Sequence, residues 1–180
     1  LQKFESNKWS YLATNNSDDH IGPWKIEATD DFMAGDFNGD GKDELFCVRK
    51  TNGNGDWFAF LNFDETSNTW DYLYLGGNPI TNWGTDYIGS WSINPFDKYY
   101  IGDFNGDGKD DLFSTQITSG NGDFLMLQTL NISSGVFDPA LWGNSGSIPN
   151  TIYPFRENLL VGNFDEDPED EILGFSTIAS

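Results

Sequence analysis

Short apolar runs alternate with polar turns rich in glycine and asparagine along most of the chain. In the run 70–75, aromatic side chains occupy every second position, which is strand periodicity and places Trp70, Tyr72 and Tyr74 on one face. No stretch shows the period and the capping residues of a helix. The predicted strands of one complete unit cover residues 32–35, 45–49, 57–61 and 70–75. The pattern therefore predicts an all-β chain with four short strands in each unit.

The unit recurs along the chain. Asp36 in a first acidic loop corresponds to Asp103 in a second loop, 67 positions later, and Trp24 corresponds to Trp91 at the same spacing. The step from Asp103 to a third loop, which begins at Asn163, is 60 residues. Repeats of this length are typical of solenoids, propellers and other arrays. We predict that Trp24 and Trp91 pack in the core between neighbouring units.

A repeated four-stranded antiparallel sheet is typical of a β-propeller blade. We predict a single repeat domain over residues 1–180, in which 1–30 end one blade, 31–97 and 98–158 are complete blades, and 159–180 begin a further blade. About three blades is fewer than the roughly four of the smallest propellers, so this chain should not close a ring alone. Three alternatives stay open: part of a longer protein, which we favour, a ring completed by several copies, or an open array.

Charge narrows the classes of partner. The 180 residues carry a net charge of −20, which opposes binding to nucleic acid or to an anionic membrane surface. The acidic residues cluster in the repeats, which favours cation binding. No apolar run is long enough for insertion into a membrane, and no signal peptide is present. The single cysteine, Cys47, is predicted to be a core residue, and the single histidine, His20, a surface residue.

The acidic loops have the oxygen ligands and the spacing that calcium prefers. Numbered from Asp36, positions 1, 3 and 5 can aim their side chains inward, the glycine at position 6 permits a sharp bend, and position 7 offers a backbone carbonyl. The predicted ligands are Asp36, Asn38, Asp40, Lys42 (carbonyl) and Glu44 in the first loop and Asp103, Asn105, Asp107, Lys109 (carbonyl) and Asp111 in the second. An EF-hand is excluded, because position 12 is Cys47 or Ser114 rather than a carboxylate, and the flanks read as strands.

The third loop departs from this pattern. Asn163 replaces the first aspartate, and Pro168 replaces the glycine at position 6, which proline cannot imitate at positive φ. Its candidate ligands are Asn163, Asp165, Asp167, Glu169 and Glu171. The sequence therefore predicts two calcium sites and a doubtful third.

The pattern G-D-F-N-G-D-G-K-D-[DE]-L-F resembles the FG-GAP and VCBS-type repeats of integrin α-chain heads and of secreted bacterial proteins, most closely the bacterial form. The similarity covers most of residues 20–180. It implies seven-bladed propellers with a structural calcium ion in the hairpin loop of each marked blade. It also implies a secreted or cell-surface location, with the ligand bound elsewhere on the propeller.

Two functions remain open on the sequence. The first is a calcium-stabilised extracellular module for cell adhesion or recognition of a protein or glycan, without catalysis. The alternative is an accessory propeller region of a secreted polysaccharide-active enzyme. Trp83 and Trp142 are candidate carbohydrate-binding residues, because each lies in a predicted connection between blades, where binding residues are common. No residues suggest a catalytic set.

Overall fold

All the secondary structure that the computed structural model describes is β-strand. The structure describes residues 2–6, 8–11, 19–51, 56–76, 86–116, 124–131, 136–144 and 158–175. Within these ranges there is no helix, and every strand pair is antiparallel. The prediction of an all-β chain is therefore confirmed.

The strands form two four-stranded sheets and four two-stranded sheets. A leading hairpin pairs β1 (Gln2–Glu5) with β2 (Lys8–Tyr11). The first unit consists of β3 (His20–Ile21), β4 (Trp24–Lys25), β5 (Asp30–Gly35), β6 (Glu44–Arg49), β7 (Trp57–Asp64) and β8 (Thr69–Gly76). The second unit consists of β9 (Tyr87–Ile88), β10 (Trp91–Ser92), β11 (Asp97–Gly102), β12 (Asp111–Gln116), β13 (Phe124–Asn131) and β14 (Val136–Asn144). The third unit pairs β15 (Asn158–Gly162) with β16 (Glu171–Phe175).

The two complete sheets share one topology. Each is a meander in chain order, β5-β6-β7-β8 and β11-β12-β13-β14, preceded by a small hairpin. The four-stranded antiparallel sheets predicted for the two complete units are therefore present. The described sheets remain open, without a closed ring.

A β-bulge in β8 makes one sequence prediction wrong. Tyr74 pairs with Phe60, whereas Tyr72 pairs with the next residue of β7, so Leu73 is an extra residue. A bulge of this kind reverses the alternation of side chains beyond it. Trp70 therefore packs against the core on one face of the sheet, while Tyr74 packs against the core on the other.

The larger core lies between the first and second units and is dominated by aromatic rings. The ring of Phe58 meets that of Phe137 edge to face, with centroids 5.4 Å apart, and Phe46 meets Tyr99 in the same way. Such contacts add stability beyond the burial of area. The buried members are Phe37, Phe46, Val48, Phe58 and Phe60 of the first unit and Ile88, Trp91, Ile93, Tyr99, Leu112, Met126 and Phe137 of the second. The prediction that Trp91 packs between units is confirmed.

A second core lies on the opposite face of the first sheet. Trp24 is fully buried there and stacks on Trp57, with ring centroids 4.1 Å apart. Cys47 is buried in the same core, as predicted, and burial raises the pKa of its thiol. His20 is partly exposed and bonds Asp19, which agrees with its predicted place at the surface.

Glycine at the end of the first strand of each four-stranded sheet allows the units to approach closely. Strand β5 contacts β11, and β11 contacts β15. A Cβ atom on Gly35 would lie 2.5 Å from Ile101 Cγ2, and one on Gly102 would lie 2.6 Å from Val161 Cγ1. These distances are too short for a methyl group, so only glycine fits at these two positions.

We expect Gly35→Ala and Gly102→Ala each to destabilise the protein by about 1–3 kcal/mol, the usual cost of overpacking a tight contact. Gly162→Ala is the matched control, because the nearest atom to a Cβ at this position is 3.6 Å away, on Phe164. Denaturant unfolding of the three variants measures the difference. Equal losses in all three would contradict the close approach of the units.

Candidate metal centre

Each acidic loop joins the first two strands of its main sheet, at residues 36–43, 103–110 and 163–170. Gly39 and Gly41 in the first loop have φ angles of 78° and 84°, and Gly106 and Gly108 in the second have 70° and 81°. Other L-residues rarely adopt these angles, so the glycines determine the turn. Both loops therefore bend at positions 4 and 6, as the sequence predicts for position 6.

The first loop wraps its backbone around the side chain of Asp36. Oδ1 accepts hydrogen bonds from the amides of Gly39 (2.7 Å) and Asp40 (3.0 Å), and Oδ2 accepts one from Gly41 (2.7 Å). Asp40 Oδ1 in turn accepts a bond from the amide of Lys42 (2.9 Å). The side chain of Lys42 forms an ion pair with Glu65 (3.2 Å), outside the loop. The predicted ligand of Lys42 is its backbone carbonyl, which this ion pair does not involve.

The second loop repeats this arrangement. Asp103 accepts bonds from the amides of Asp107 (3.0 Å) and Gly108 (2.8 Å). Asp107 also donates from its amide to Asn105 Oδ1 (2.9 Å) and accepts from the amide of Lys109 (3.0 Å). The two loops thus share their geometry as well as their sequence.

Glu44, at position 9, is the least satisfied polar group of the first loop. It begins β6 opposite Gly35, and its side chain is 2% exposed. Oε1 accepts a bond from Asn38 Nδ2 (2.5 Å), but the buried Oε2 has no hydrogen-bond partner. Burial, and then the charges of Asp40 and Asp36, raise the pKa of this carboxyl to about 7. A cation between these groups would offset the repulsion that raises the pKa of Glu44.

The raised pKa of Glu44 predicts a pH dependence in the absence of a cation. The folded-state pKa of about 7 lies above the value of 4.5 for a free glutamate, so the folded protein binds more protons between these pH values. In the presence of a chelator, we therefore expect the melting temperature to fall as pH rises from about 5 to about 7. Glu44→Gln, which cannot ionise, should flatten this slope. An identical slope in the variant would contradict the assignment to Glu44.

Asp111 occupies position 9 of the second loop and has the same place in the strand register. It begins β12 opposite Gly102, as Glu44 begins β6 opposite Gly35, and it is also buried. The register of the first strand pair therefore positions the last acidic ligand of both loops.

The third loop places its acidic side chains differently. Ligand oxygens of Asp165, Asp167 and Glu171 all lie within 4.8 Å of one another, and among the described residues this is the one acidic triad so close. The predicted carboxylates of the first two loops are not drawn together to this extent. The remaining candidates are Asn163, which accepts from the amide of Glu166, and Glu169, which donates from its amide to Asp167.

The third loop keeps the positive φ at position 4 and has a proline in place of the glycine at position 6. Glu166 has φ of 73° at position 4, where the other loops have glycine, and position 6 is Pro168. Glu171 uses Oε2 to accept from the amide of Phe164 (2.7 Å). Its triad is largely solvent-exposed, in contrast to the buried Glu44 and Asp111.

Aspartate at position 8 links successive loops, a role that the sequence analysis missed. Asp110 Oδ2 accepts a bond from the amide of Asp36 (2.7 Å), and the amide of Asp110 donates to the carbonyl of Asp36 (2.9 Å). Asp170 makes the same two bonds with Asp103, at 3.0 and 2.8 Å. The available signal was aspartate at position 8 of all three loops, including Asp43. Each such pair fixes the backbone of a predicted metal ligand from the following unit.

Of the two candidate carbohydrate-binding residues, the structure describes only Trp142. Trp83 lies outside the described residues. Trp142 lies in β14, where its backbone pairs with Met126 of β13, rather than in the connection predicted for it.

Comparison with family models, with curated proteins and with solved structures finds no match to this chain. The part of the chain that the structure describes contains no helix that could span a membrane.

Proposed function

We propose that this chain is a calcium-stabilised module of propeller-type β-repeats that serves recognition or adhesion outside the cytosol, without catalysis. The observation that carries the proposal is the state of Glu44. It is a buried carboxylate with one unpartnered oxygen, close to the charges of Asp36 and Asp40, in a loop that recurs 67 residues later.

The donor set of the loops suits calcium. Carboxylate, amide and backbone carbonyl oxygens are hard ligands, and the loops contain no histidine or cysteine that would favour zinc or copper. The residues that would hold the ion are Asp36, Asn38, Asp40, Lys42 (carbonyl) and Glu44, and in the second loop Asp103, Asn105, Asp107, Lys109 (carbonyl) and Asp111. The ion would supply positive charge that offsets the repulsion among the carboxylates and holds the hairpin closed.

The third loop is the weaker candidate in this proposal. Its acidic triad is close together but exposed, and exposed acidic groups are screened by water without a metal. Asn163 also supplies one negative charge fewer at position 1 than Asp36 and Asp103 do. We therefore expect two calcium ions per chain under conditions that fill only the stronger sites.

The propeller arrangement is supported by how the units stack. The first strand of each main sheet contacts the first strand of the next, β5 on β11 and β11 on β15, while aromatic cores fill the space between sheets. A radial arrangement of four-stranded meanders has this property. A seven-bladed ring, as the resemblance implies, would need further blades, from a longer chain or from other copies.

An extracellular recognition role is consistent with the charge and the metal. Calcium sites of modest affinity fill only where calcium is abundant, which favours a secreted or cell-surface location. The net charge of −20 disfavours nucleic acid and anionic membranes as partners and leaves a protein or a glycan as the ligand.

Calorimetric titration with calcium tests the metal sites directly. We expect the wild-type protein to bind two equivalents, and Asp36→Asn and Asp103→Asn each to lose one. Asp43→Asn is the matched control, because Asp43 is an exposed aspartate of the same loop at a position that is not a predicted ligand. No heat of binding in the wild type, or equal loss in the control, would contradict the proposal.

The recognition role has its own test. On glycan arrays or against a panel of extracellular proteins, we expect saturable binding of at least one ligand. We expect no cleavage of any polysaccharide in a panel. If the ligand is a glycan, Trp83→Ala should weaken its binding. Cleavage of a polysaccharide by this chain alone would contradict the non-catalytic role.

A further inference from the structure

The aspartate at position 8 of the second loop holds the residue around which the first loop is built. Asp110 accepts a bond from the amide of Asp36 (2.7 Å), and its own amide donates to the carbonyl of Asp36 (2.9 Å). These two bonds, which we call the loop link, fix the peptide groups on both sides of Asp36 and therefore the direction of its side chain. That side chain accepts bonds from the amides of Gly39, Asp40 and Gly41. Asp110 thus positions the centre of the first loop.

Side-chain packing strengthens the contact between the two loops. A Cβ atom on Gly39 would lie 3.0 Å from Lys109 Cγ and 3.2 Å from Lys109 Cε, so the aliphatic stem of Lys109 crosses this glycine. A Cβ atom on Gly35 would lie 2.6 Å from Asp110 Oδ2. Positions 7 and 8 of the second loop therefore lie directly against the backbone of the first loop.

The same contacts recur between the second and third loops. Asp170 makes both bonds to Asp103, at 3.0 and 2.8 Å. The side chain of Glu169 lies over Gly106, where a Cβ atom would be 3.1 Å from Glu169 Cδ. Asp43 has position 8 in the first loop and is exposed, and among the described residues it bonds no other loop. The contact is therefore a property of successive loops rather than of one pair.

The linking residue also lies between two predicted ligands of its own loop. The carbonyl of Lys109 and the carboxylate of Asp111 are the predicted ligands at positions 7 and 9, on either side of Asp110. The amide of Lys109 bonds Asp107 Oδ1 (3.0 Å), and Asp111 is buried at the start of β12. Closing these groups on an ion therefore fixes the segment from which Asp110 reaches the first loop.

We propose that calcium binding in the second loop strengthens calcium binding in the first loop, and that Asp110 transmits the effect. This inference rests on the proposed calcium sites and adds a coupling between them. When the second loop is filled, Asp110 is held in place, so the first loop loses less conformational freedom as it closes on its own ion. By thermodynamic linkage, an ion in the first loop strengthens binding in the second by the same factor.

Electrostatics alone predicts a coupling of the opposite sign. A divalent ion in one loop weakens the negative potential that attracts an ion to the next loop, so unlinked sites on a chain with a net charge of −20 would oppose one another. Salt screens this repulsion over about 8 Å at about 0.15 M, whereas the loop link does not depend on salt. Positive coupling that persists as salt is raised therefore distinguishes the loop link from electrostatics.

Titration with calcium chloride, followed by nuclear magnetic resonance, measures the coupling at each loop. The amide protons of Gly41 and Gly108 report the two loops separately, because each bonds the position-1 aspartate of its own loop. In Asp107→Asn protein, we expect the first loop to bind calcium about tenfold more weakly than in the wild type while the second loop stays empty. Asp40→Asn should weaken the second loop by the same factor.

Substitution of the linking residue tests its role. Asp110→Ala removes the acceptor for the amide of Asp36 and keeps every predicted ligand, so both loops should still fill, but without positive coupling. Without calcium, hydrogen exchange at the amide of Asp36 should also be faster in this variant. Asp110→Asn keeps an acceptor oxygen and should retain the coupling. Asp43→Ala is the matched control, because it removes the position-8 aspartate of the first loop, and it should leave the coupling unchanged.

The outcomes distinguish failure of this inference from failure of the proposed function. Independent or negatively coupled binding of two ions to the wild type would overturn the inference and leave the calcium sites in place, whereas no binding at all would overturn both. Positive coupling in folded Asp110→Ala protein would show that another contact transmits the effect. Circular dichroism shows whether each variant is folded, and the comparison of the wild type with Asp107→Asn measures the coupling even if Asp110→Ala does not fold.

Discussion

Removing calcium with a chelator is expected to lower the melting temperature of this protein by about 10 °C or more. A ligand present at 100 times its dissociation constant stabilises the folded state by about 2.7 kcal/mol per site, so two sites contribute about 5 kcal/mol. For a chain of this size, each kcal/mol shifts the melting temperature by about 2–4 °C. Without the ion, the charges of Asp40 and Asp36 act on Glu44, which stays buried with an unpartnered oxygen.

Single substitutions should divide this loss between the loops. Asp40→Ala and Asp107→Ala each remove one position-5 ligand, and each should lower the melting temperature in calcium by about half of the chelator effect. The same variants should respond less to a chelator than the wild type does. Asp43→Ala serves as control, because it removes an exposed carboxylate of the same loop outside the predicted ligand set. An unchanged melting curve in excess EGTA would contradict a structural role for calcium.

The second large effect concerns one aspartate in each of the two complete units. Asp30 and Asp97 begin the first strand of their sheets, 67 residues apart, and each accepts a bond from a tryptophan indole at 2.8 Å. We expect Asp30→Asn to cost about 3 kcal/mol of unfolding free energy, and Asp97→Asn about 1 kcal/mol or less. The same substitution should therefore destabilise the protein much more at Asp30 than at the equivalent position, Asp97.

The difference follows from the partner on the neighbouring strand. Asp30 binds Arg49 through two hydrogen bonds, at 2.8 and 3.0 Å, and the guanidinium lies over the rings of Trp24 and Trp57. Both charged groups are largely buried, with the Asp30 side chain fully so. Neutralising one member leaves a buried cation without its counter-ion, which typically costs 3–5 kcal/mol.

Asp97 has neutral partners instead. It accepts bonds from Trp91, from the amide of Asn94 and from Gln116, and burial raises the pKa of its carboxyl despite these bonds. Asparagine keeps one acceptor oxygen for Trp91 and the Asn94 amide, and its NH2 group can donate to the oxygen of Gln116 once that side-chain amide turns over. The substitution also removes a charge that burial disfavours. Denaturant unfolding of the two variants side by side measures the contrast. Equal losses, or a larger loss for Asp97→Asn, would contradict the dominance of the buried ion pair.

Much of the local structure could be read from the sequence. Alternation of aromatic residues, turns of glycine and asparagine, and the loop pattern predict the strands on either side of each loop, and the structure has them. Prediction failed at Leu73, because a bulge adds a residue to β8 and moves Tyr74 to the other face of the sheet. A bulge depends on pairing with the neighbouring strand, so the residues of β8 alone do not predict it.

The acidic loops likewise combine features that the sequence predicts with features that depend on distant residues. The ligand candidates and the bending glycines follow from their spacing, because a turn is built from neighbouring residues. The links from Asp110 to Asp36 and from Asp170 to Asp103 join positions 74 and 67 residues apart and were missed. The burial of Glu44 is also a product of packing, since its charge alone would place it at the surface.

By itself, the sequence determined the strands, the repeat and the shape of the acidic turns, because each depends on residues that are close along the chain. Only the tertiary structure decided which of the repeated positions are buried. Phe37 and Phe164 occupy the same loop position, but Phe37 is buried in the core that the first two units share, and Phe164 is exposed. Burial requires a neighbouring surface, and that surface comes from a distant part of the chain.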